Sequence, residues 1–173
     1  MIGQPLFSSL TRLLKIFFLR MKNSDFSIEH MMIAIECAKK AYSKDEVPVG
    51  AVIVRDGKII GKGWNTILEN QSVSAHAEIN AINVASSYLK NYRLVNCDIY
   101  TTLEPCHMCA KAIVDARIRN LFFGALEPKT GAIVSTDSFL DQPHLNHRVN
   151  YEYGFMKNES IKLLMSFFKS KRD

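Results

Sequence analysis

Two short runs constrain this chain more than anything else in it. His76-Ala77-Glu78 and Pro105-Cys106-His107-Met108-Cys109 each open a stretch with helical apolar spacing, His76 to Leu89 and Cys106 to Ala116. An imidazole, two thiols and a carboxylate at helix starts can act on one atom only if the fold brings the two helix N-termini together. The unpaired N–H groups and partial positive charge of a helix N-terminus favour the thiolate form of cysteine. Cys106 and Cys109, at i and i+3 of one helix, can turn both sulfurs to one point, and His76 adds an imidazole nitrogen. Three donors of this kind suit a tetrahedral Zn²⁺ with a fourth position left for water, the arrangement of a catalytic centre rather than a closed structural one.

Glu78 supplies the base that such a centre needs. Two residues from His76, it would point elsewhere along a regular helix, but in the first turn both side chains can reach one cavity. As a carboxylate it accepts a proton from a water acidified by zinc; as an acid it protonates, in successive transfers, a ring nitrogen and then the leaving amine. Those transfers describe hydrolytic deamination of an amino-substituted heterocycle.

The rest of the chain suits one cytosolic domain. Its 173 residues are 47% apolar and 23% charged, which excludes a disordered tail, a collagen-like chain and a coiled coil. Four cysteines are too few for a secreted disulfide framework, and Cys37 and Cys97 read as inert core. The run Leu13 to Leu19 is too short for a membrane span and is interrupted by Lys15. Of the 22 basic residues, Arg12, Lys15, Arg20 and Lys22 fall in 1–24 with no acid, and the remainder is nearly neutral, 18 basic against 17 acidic. Residues 1–24 therefore read as a dispensable basic extension and 25–173 as the working domain. A second basic cluster, Lys162, Lys169, Lys171 and Arg172 around Phe167 and Phe168, is a candidate contact for a polyanion.

Spacing predicts a helix capped by Ser27 with Ile28, Met31, Met32, Ile35, Ala38 and Tyr42 on its inner face. Asp56-Gly57 between two apolar runs predicts a tight hairpin. The helix from His76 offers Ile79, Ile82, Val84 and Ala85 for burial. Strands are expected over 98–103 and 120–123, parallel across the Cys106 helix. Residues 125–147 form a long aperiodic loop, 148–153 a last strand, and Asn158 caps a helix ending at Phe168. Trp64 reads as packing, and His30 and His144 as surface or loop residues. The element order is that of a layered α/β domain.

His76-Ala-Glu78 with Pro105-Cys-x-x-Cys109 resembles the zinc nucleobase deaminases, whose signature and chemistry are of this kind. The match extends to Glu46-Val-Pro-Val-Gly-Ala-Val52, Gly63-Trp-Asn65, Thr102-Leu-Glu-Pro-Cys106, Ala116-Arg-Ile118, Phe123-Gly-Ala125, Lys129-Thr-Gly-Ala132, Asn146-His-Arg148 and the closing Phe167-Phe168. Over about residues 26–172 the chain is similar to bacterial tRNA adenosine deaminases of the cytidine/deoxycytidylate deaminase-like superfamily. The resemblance implies a three-layer α/β/α fold with a mixed sheet of about five strands, one Zn²⁺ per subunit, and conversion of adenosine to inosine at the wobble position of an anticodon, that of an arginine tRNA. It implies a cytoplasmic homodimer whose partner is the tRNA anticodon stem-loop, with no membrane and no other protein.

Carried over by position, Asn65 hydrogen-bonds the target nucleoside, and Val47 and Leu103 wall the base. The Ala77 N–H serves the group at the reacting carbon, and Glu127 stands beside the ribose. Asn146, His147, Arg148 and Phe168 contact RNA or support that surface. Glu127 is a methylene longer than the family's usual aspartate, Ile133-Val134 replace smaller residues, and His107 stands where an apolar residue is common. Two alternatives remain open. One is a zinc deaminase of a small nucleobase or nucleoside such as cytosine or guanine. The other is a non-enzymatic zinc module, which would need a fourth protein ligand and have no use for Glu78.

Overall fold

Asp56 and Gly57 both take positive φ, 49° and 74°, as a type I′ turn requires. β1 (Gly50–Arg55) therefore folds straight back as β2 (Lys58–Trp64). In the computed structural model, which describes residues 26–172, this ribbon forms one side of a five-stranded mixed sheet ordered β2-β1-β3-β4-β5. β3 (Cys97–Leu103) runs antiparallel to β1, β4 (Asn120–Ala125) parallel to β3, and β5 (Asn150–Tyr153) parallel to β4. The described helices are α1 (Ile28–Ser43), a short α2 (Ile67–Asn70), α3 (Ala77–Leu89), α4 (His107–Asp115) and α5 (Lys157–Ser170). The extension expected over 1–24 lies outside the described residues.

Strand alternation divides the core into two layers. Ala51, Ile53, Ile99, Leu121 and Phe123 pack with α3 and α4, whereas Val52, Val54, Tyr100 and Phe122 pack with α1. Helix α5 lies beside α1 and against β4. This is the α/β/α sandwich that the element order and the resemblance both imply.

The inner face of α1 differs from the expected stripe. It buries Met31, Ala34, Ile35, Cys37, Ala38 and Ala41, and leaves Ile28 and Met32 exposed. The cause is close approach: a Cβ on Gly50 would stand 2.1 Å from Ala34 O, so small residues face the strand. Ser27 holds the cap position without a side-chain bond, its N–H donating instead to Tyr100 Oη. Val84, also expected inside, is exposed, because α3 turns Ala77, Ala81, Ile82 and Ala85 to the sheet. His30, expected at the surface, packs edge-on against Tyr100. Met156 rather than Asn158 stands at the cap of α5, which runs on to Ser170. The aperiodic stretch after β4 is an ordered strap with Ala132, Ile133 and Leu140 buried and one 3₁₀ turn, Phe139–Asp141.

Helix α3 rests on β2 through Gly63. A Cβ there would meet Ala77 O at 2.2 Å and Ala81 N at 2.4 Å, both helix backbone atoms, so the whole helix would have to move. Gly63→Ala is expected to cost about 3 kcal/mol, the upper end for overpacking. Lys62→Ala, at an exposed site on the same strand, should cost less than about 0.5 kcal/mol. Urea unfolding of both variants checks the contrast.

Candidate active site

The two chemistry-bearing helices begin in the same way. His76 is the N-cap of α3 and Cys106 the N-cap of α4, each with extended backbone (φ −76°, ψ 155° and φ −74°, ψ 172°). Cys106 therefore stands just outside the helix that carries Cys109, not within it as the spacing suggested. An N-cap side chain folds back over the first turn toward the third helical position, as in a capping box, and Cys109 occupies that position. The same break explains Glu78: because His76 precedes the helix, the rotation that separates neighbours two apart on a helix does not divide them.

His76 Nδ1 lies 3.7 Å from Cys106 Sγ and 3.5 Å from Cys109 Sγ. All three donor atoms lie within 4.8 Å of one another. Tetrahedral zinc bonds of ~2.0–2.1 Å to nitrogen and ~2.3 Å to sulfur would hold N and S about 3.6 Å apart. The residues fit the ion. Among the described residues no fourth histidine, cysteine or carboxylate joins the group. A closed structural centre lacks its last ligand here.

Electrostatics favour a single thiolate, that of Cys106, within the donor group. Hydrogen bonds from Cys109 and from the His76 ring hold the Cys106 thiol down to about 3 against the cost of burial. The bond to Cys106, with burial, pushes the Cys109 thiol up, and a bond to Cys106 raises the His76 imidazole. The unpaired N–H groups at the two helix starts add partial positive charge. Glu78, 3% exposed, places Oε2 3.5 Å from Cys109 Sγ, and burial raises its carboxyl above the usual range.

The remaining expected residues fall into three places. Asn65 joins the metal side, with Nδ2 donating to Val47 O at 3.0 Å and Oδ1 accepting the Ala77 N–H at 2.9 Å. That N–H, expected to serve the reacting group, is engaged by Asn65 in this structure. Leu103, Glu127 and Phe168 line a cavity of about 880 Å³ together with Lys162, Lys169 and Arg172, with none of the donor residues in its lining. Lys171, the fourth member of the basic cluster, pairs with Asp45 instead. Asn146, His147 and Arg148 stand apart in supporting bonds: Arg117 donates to Asn146 Oδ1, His147 Nε2 contacts Ile118 O, and Arg148 donates to Gln142 O. His107 is half exposed and pairs with Asp137 at 2.9 Å, away from the donor group.

Sequence reasoning missed two buried acids. Glu46 accepts the N–H groups of Leu68 and Glu69 through Oε1, which fixes the start of α2 beside Val47 and Asn65. Glu104 accepts a cluster of N–H groups from the strap; burial, the largest single effect, would raise its carboxyl, but the Ser135 hydroxyl and the backbone N–H groups together hold it below the usual range. The available signal was an acid one or two residues ahead of a proline, next to a strand.

The cytidine and deoxycytidylate deaminase zinc-binding region matches residues 24–125. A tRNA-specific adenosine deaminase of Aquifex aeolicus is 46% identical over 143 residues, covering 83% of this chain and 94% of that protein. The chain belongs to the tRNA-specific adenosine deaminase family. Its Haemophilus influenzae relative of that name is 44% identical over 151 residues, 87% of each protein. A solved structure from a study of A-to-I editing by tRNA:A34 deaminases at the wobble position superposes with a TM-score of 0.78 at 43% identity, covering 80% of this chain and 100% of that one. A guanine deaminase from Nitrosomonas europaea reaches 0.70 at 21% identity, covering 96% and 94%, a likeness of fold alone. The family read from the motifs is therefore the family found, and His76, Cys106 and Cys109 lie within its zinc-binding region. No described helix is long and apolar enough to cross a membrane.

The purified protein is expected to carry one zinc per chain. Stripping it with a chelator should lower the thermal midpoint by about 10 °C, the shift produced by losing a ligand held well above its Kd. Metal analysis beside thermal scans measures both.

Proposed function

We infer that this protein is a hydrolase that converts adenosine to inosine, with release of ammonia, at the wobble position of a tRNA anticodon, an arginine tRNA being the substrate. The observation that carries the reading is the buried Glu78 carboxylate beside a three-donor group. It stands in a chain 44–46% identical to proteins named tRNA-specific adenosine deaminase.

Zinc bound by His76, Cys106 and Cys109 supplies a Lewis acid that lowers the pKa of a water molecule. Glu78 Oε2 takes one proton from the attacking water and gives it to a ring nitrogen of the purine as the oxygen bonds to the amine-bearing carbon. It then carries the second proton from that oxygen to the exocyclic amine, whose C–N bond breaks to release ammonia. Asn65, fixed by Val47 O and the Ala77 N–H, offers its second Nδ2 hydrogen to the nucleoside. Val47 and Leu103 wall the base. Burial of the carboxylate keeps bulk water from competing with it.

The cavity between β3, the strap and α5 suits what lies either side of an extruded base. Phe168 offers a stacking face, and Lys162, Lys169 and Arg172 offer charge to phosphates. Glu127 at its rim can accept a hydrogen bond from a ribose 2′-hydroxyl, the group that separates RNA from DNA. Asn146, His147 and Arg148 support a second surface, around Arg117 and Ile118, that can contact RNA. The enzyme works as a cytoplasmic homodimer with no protein partner beyond its own copy.

Replacing the proton carrier separates metal from chemistry. Glu78→Ala should keep full zinc content and lose activity by about 10³-fold or more, as read by inosine formation on an anticodon stem-loop. A Glu78→Ala protein that still makes inosine would overturn the mechanism.

Substrate size is the second discriminator. The stem-loop should be turned over far faster than free adenosine, cytosine or guanine. Engagement of three basic side chains should give a log–log salt slope of about −2 for single-stranded contacts. Equal turnover of a free base would favour a small-molecule deaminase.

A further inference from the structure

Glu104 is 3% exposed and has no part in the proton transfers above. It follows β3 directly and precedes the donor Cys106 by two residues. Its carboxylate gathers donors from one segment alone. Oε1 accepts the N–H groups of Ile133 at 3.0 Å, Val134 at 2.7 Å and Ser135 at 2.9 Å. Oε2 accepts the Glu127 N–H at 3.0 Å and the Ser135 hydroxyl.

The topology explains why so much rests on one side chain. Parallel strands are usually joined by a helix that satisfies its own backbone. Between β4 and β5 the connection is an irregular strap, and its buried N–H groups need an acceptor from elsewhere. Backbone pairing continues the seam: the Glu104 N–H donates to Ala125 O, the Ala132 N–H to Pro105 O, and Cys106 and Gly131 form an antiparallel bridge. A Cβ on Gly131 would lie 2.4 Å from Glu104 Oε2, so the carboxylate fills the space a side chain would take.

We propose that Glu104 is the positioning residue that registers the strap, and with it Glu127, against the turn that carries Cys106. Its carboxylate is the common acceptor at both ends of the 127–135 segment. The edge of the cavity formed by Leu103 and Glu127 is thereby held at a fixed distance from the donor group. Its effect on turnover rests on the reading of that cavity as the substrate groove; the seam itself does not.

Glu104→Gln in the full-length, zinc-loaded protein tests this. The amide keeps one oxygen for Ile133, Val134 and Ser135, and the Ser135 hydroxyl can turn to accept from the new NH₂. The Glu127 N–H is left facing a donor. Its hydrogen exchange should quicken by about 10- to 100-fold, the loss of one charge-assisted bond. Exchange at Ile99 to Thr101 and the zinc content should stay as in the parent. On the stem-loop, KM should rise about tenfold and kcat change less than about twofold, as for a group that seats substrate without touching the reacting atoms. Ser135→Ala, which removes one donor and keeps the charge, should move both readouts in the same direction by about threefold; it decides the matter if Glu104→Gln does not fold. Unchanged exchange at Glu127 overturns the seam. Loosened exchange with unchanged KM overturns the positioning role, and uniformly faster exchange with zinc loss makes Glu104 a fold residue only. A parent protein that forms no inosine would refute the deaminase reading while the exchange arm still decides the seam.

Discussion

Everything else in this structure answers to the meeting of two helix N-caps. His76 and Cys106 belong to segments 30 positions apart, and each must leave its strand side extended, then turn into a helix at the same place. The sheet order makes that possible. The chain reaches His76 from β2 and Cys106 from β3, and those strands flank β1. Helices α3 and α4 then pack into the same layer of the core. A one-residue slip of β1 against β3 would turn every inward side chain outward and separate the caps.

Buried carboxylates hold the loops around that meeting point. Glu46 fixes α2, Glu104 fixes the strap, and Asp98 takes a two-pronged bond from Arg119 and a third from Asn120 at the start of β4. Each removes a charge from water and recovers the loss through several donors that would otherwise be buried without partners. Where a segment is irregular in backbone, as the strap is, such bonds order it without a helix or a strand.

The sequence made the site plain because its chemistry is local. The donors and Glu78 sit in two short runs, and the helix starts were legible from the apolar spacing that follows each. The hairpin was legible from Asp56-Gly57. The inner face of α1 was not, because periodicity ranks Ile28 and Met32 above alanines, and only the closeness of α1 to Gly50 reverses that ranking. Nor was the commitment of the Ala77 N–H to Asn65, twelve residues away, a pairing that depends on how β2 hands over to α3. The roles of Glu46 and Glu104 were hidden for the same reason: an acid just ahead of a proline reads as a turn residue until its distant donors are seen.

The groove and the metal centre are drawn from different lengths of the chain. Every donor, and Glu78, lies between residues 76 and 109, whereas the groove is closed by the strap and by α5, the last helix. Leu103 and Glu104 are the hinge between the two sets. A substitution on the cavity-facing side of α5 therefore leaves the donor residues and Glu78 untouched, and a change at the two helix starts leaves the far wall of the cavity untouched. Cavity shape and metal chemistry are written in separable parts of this chain.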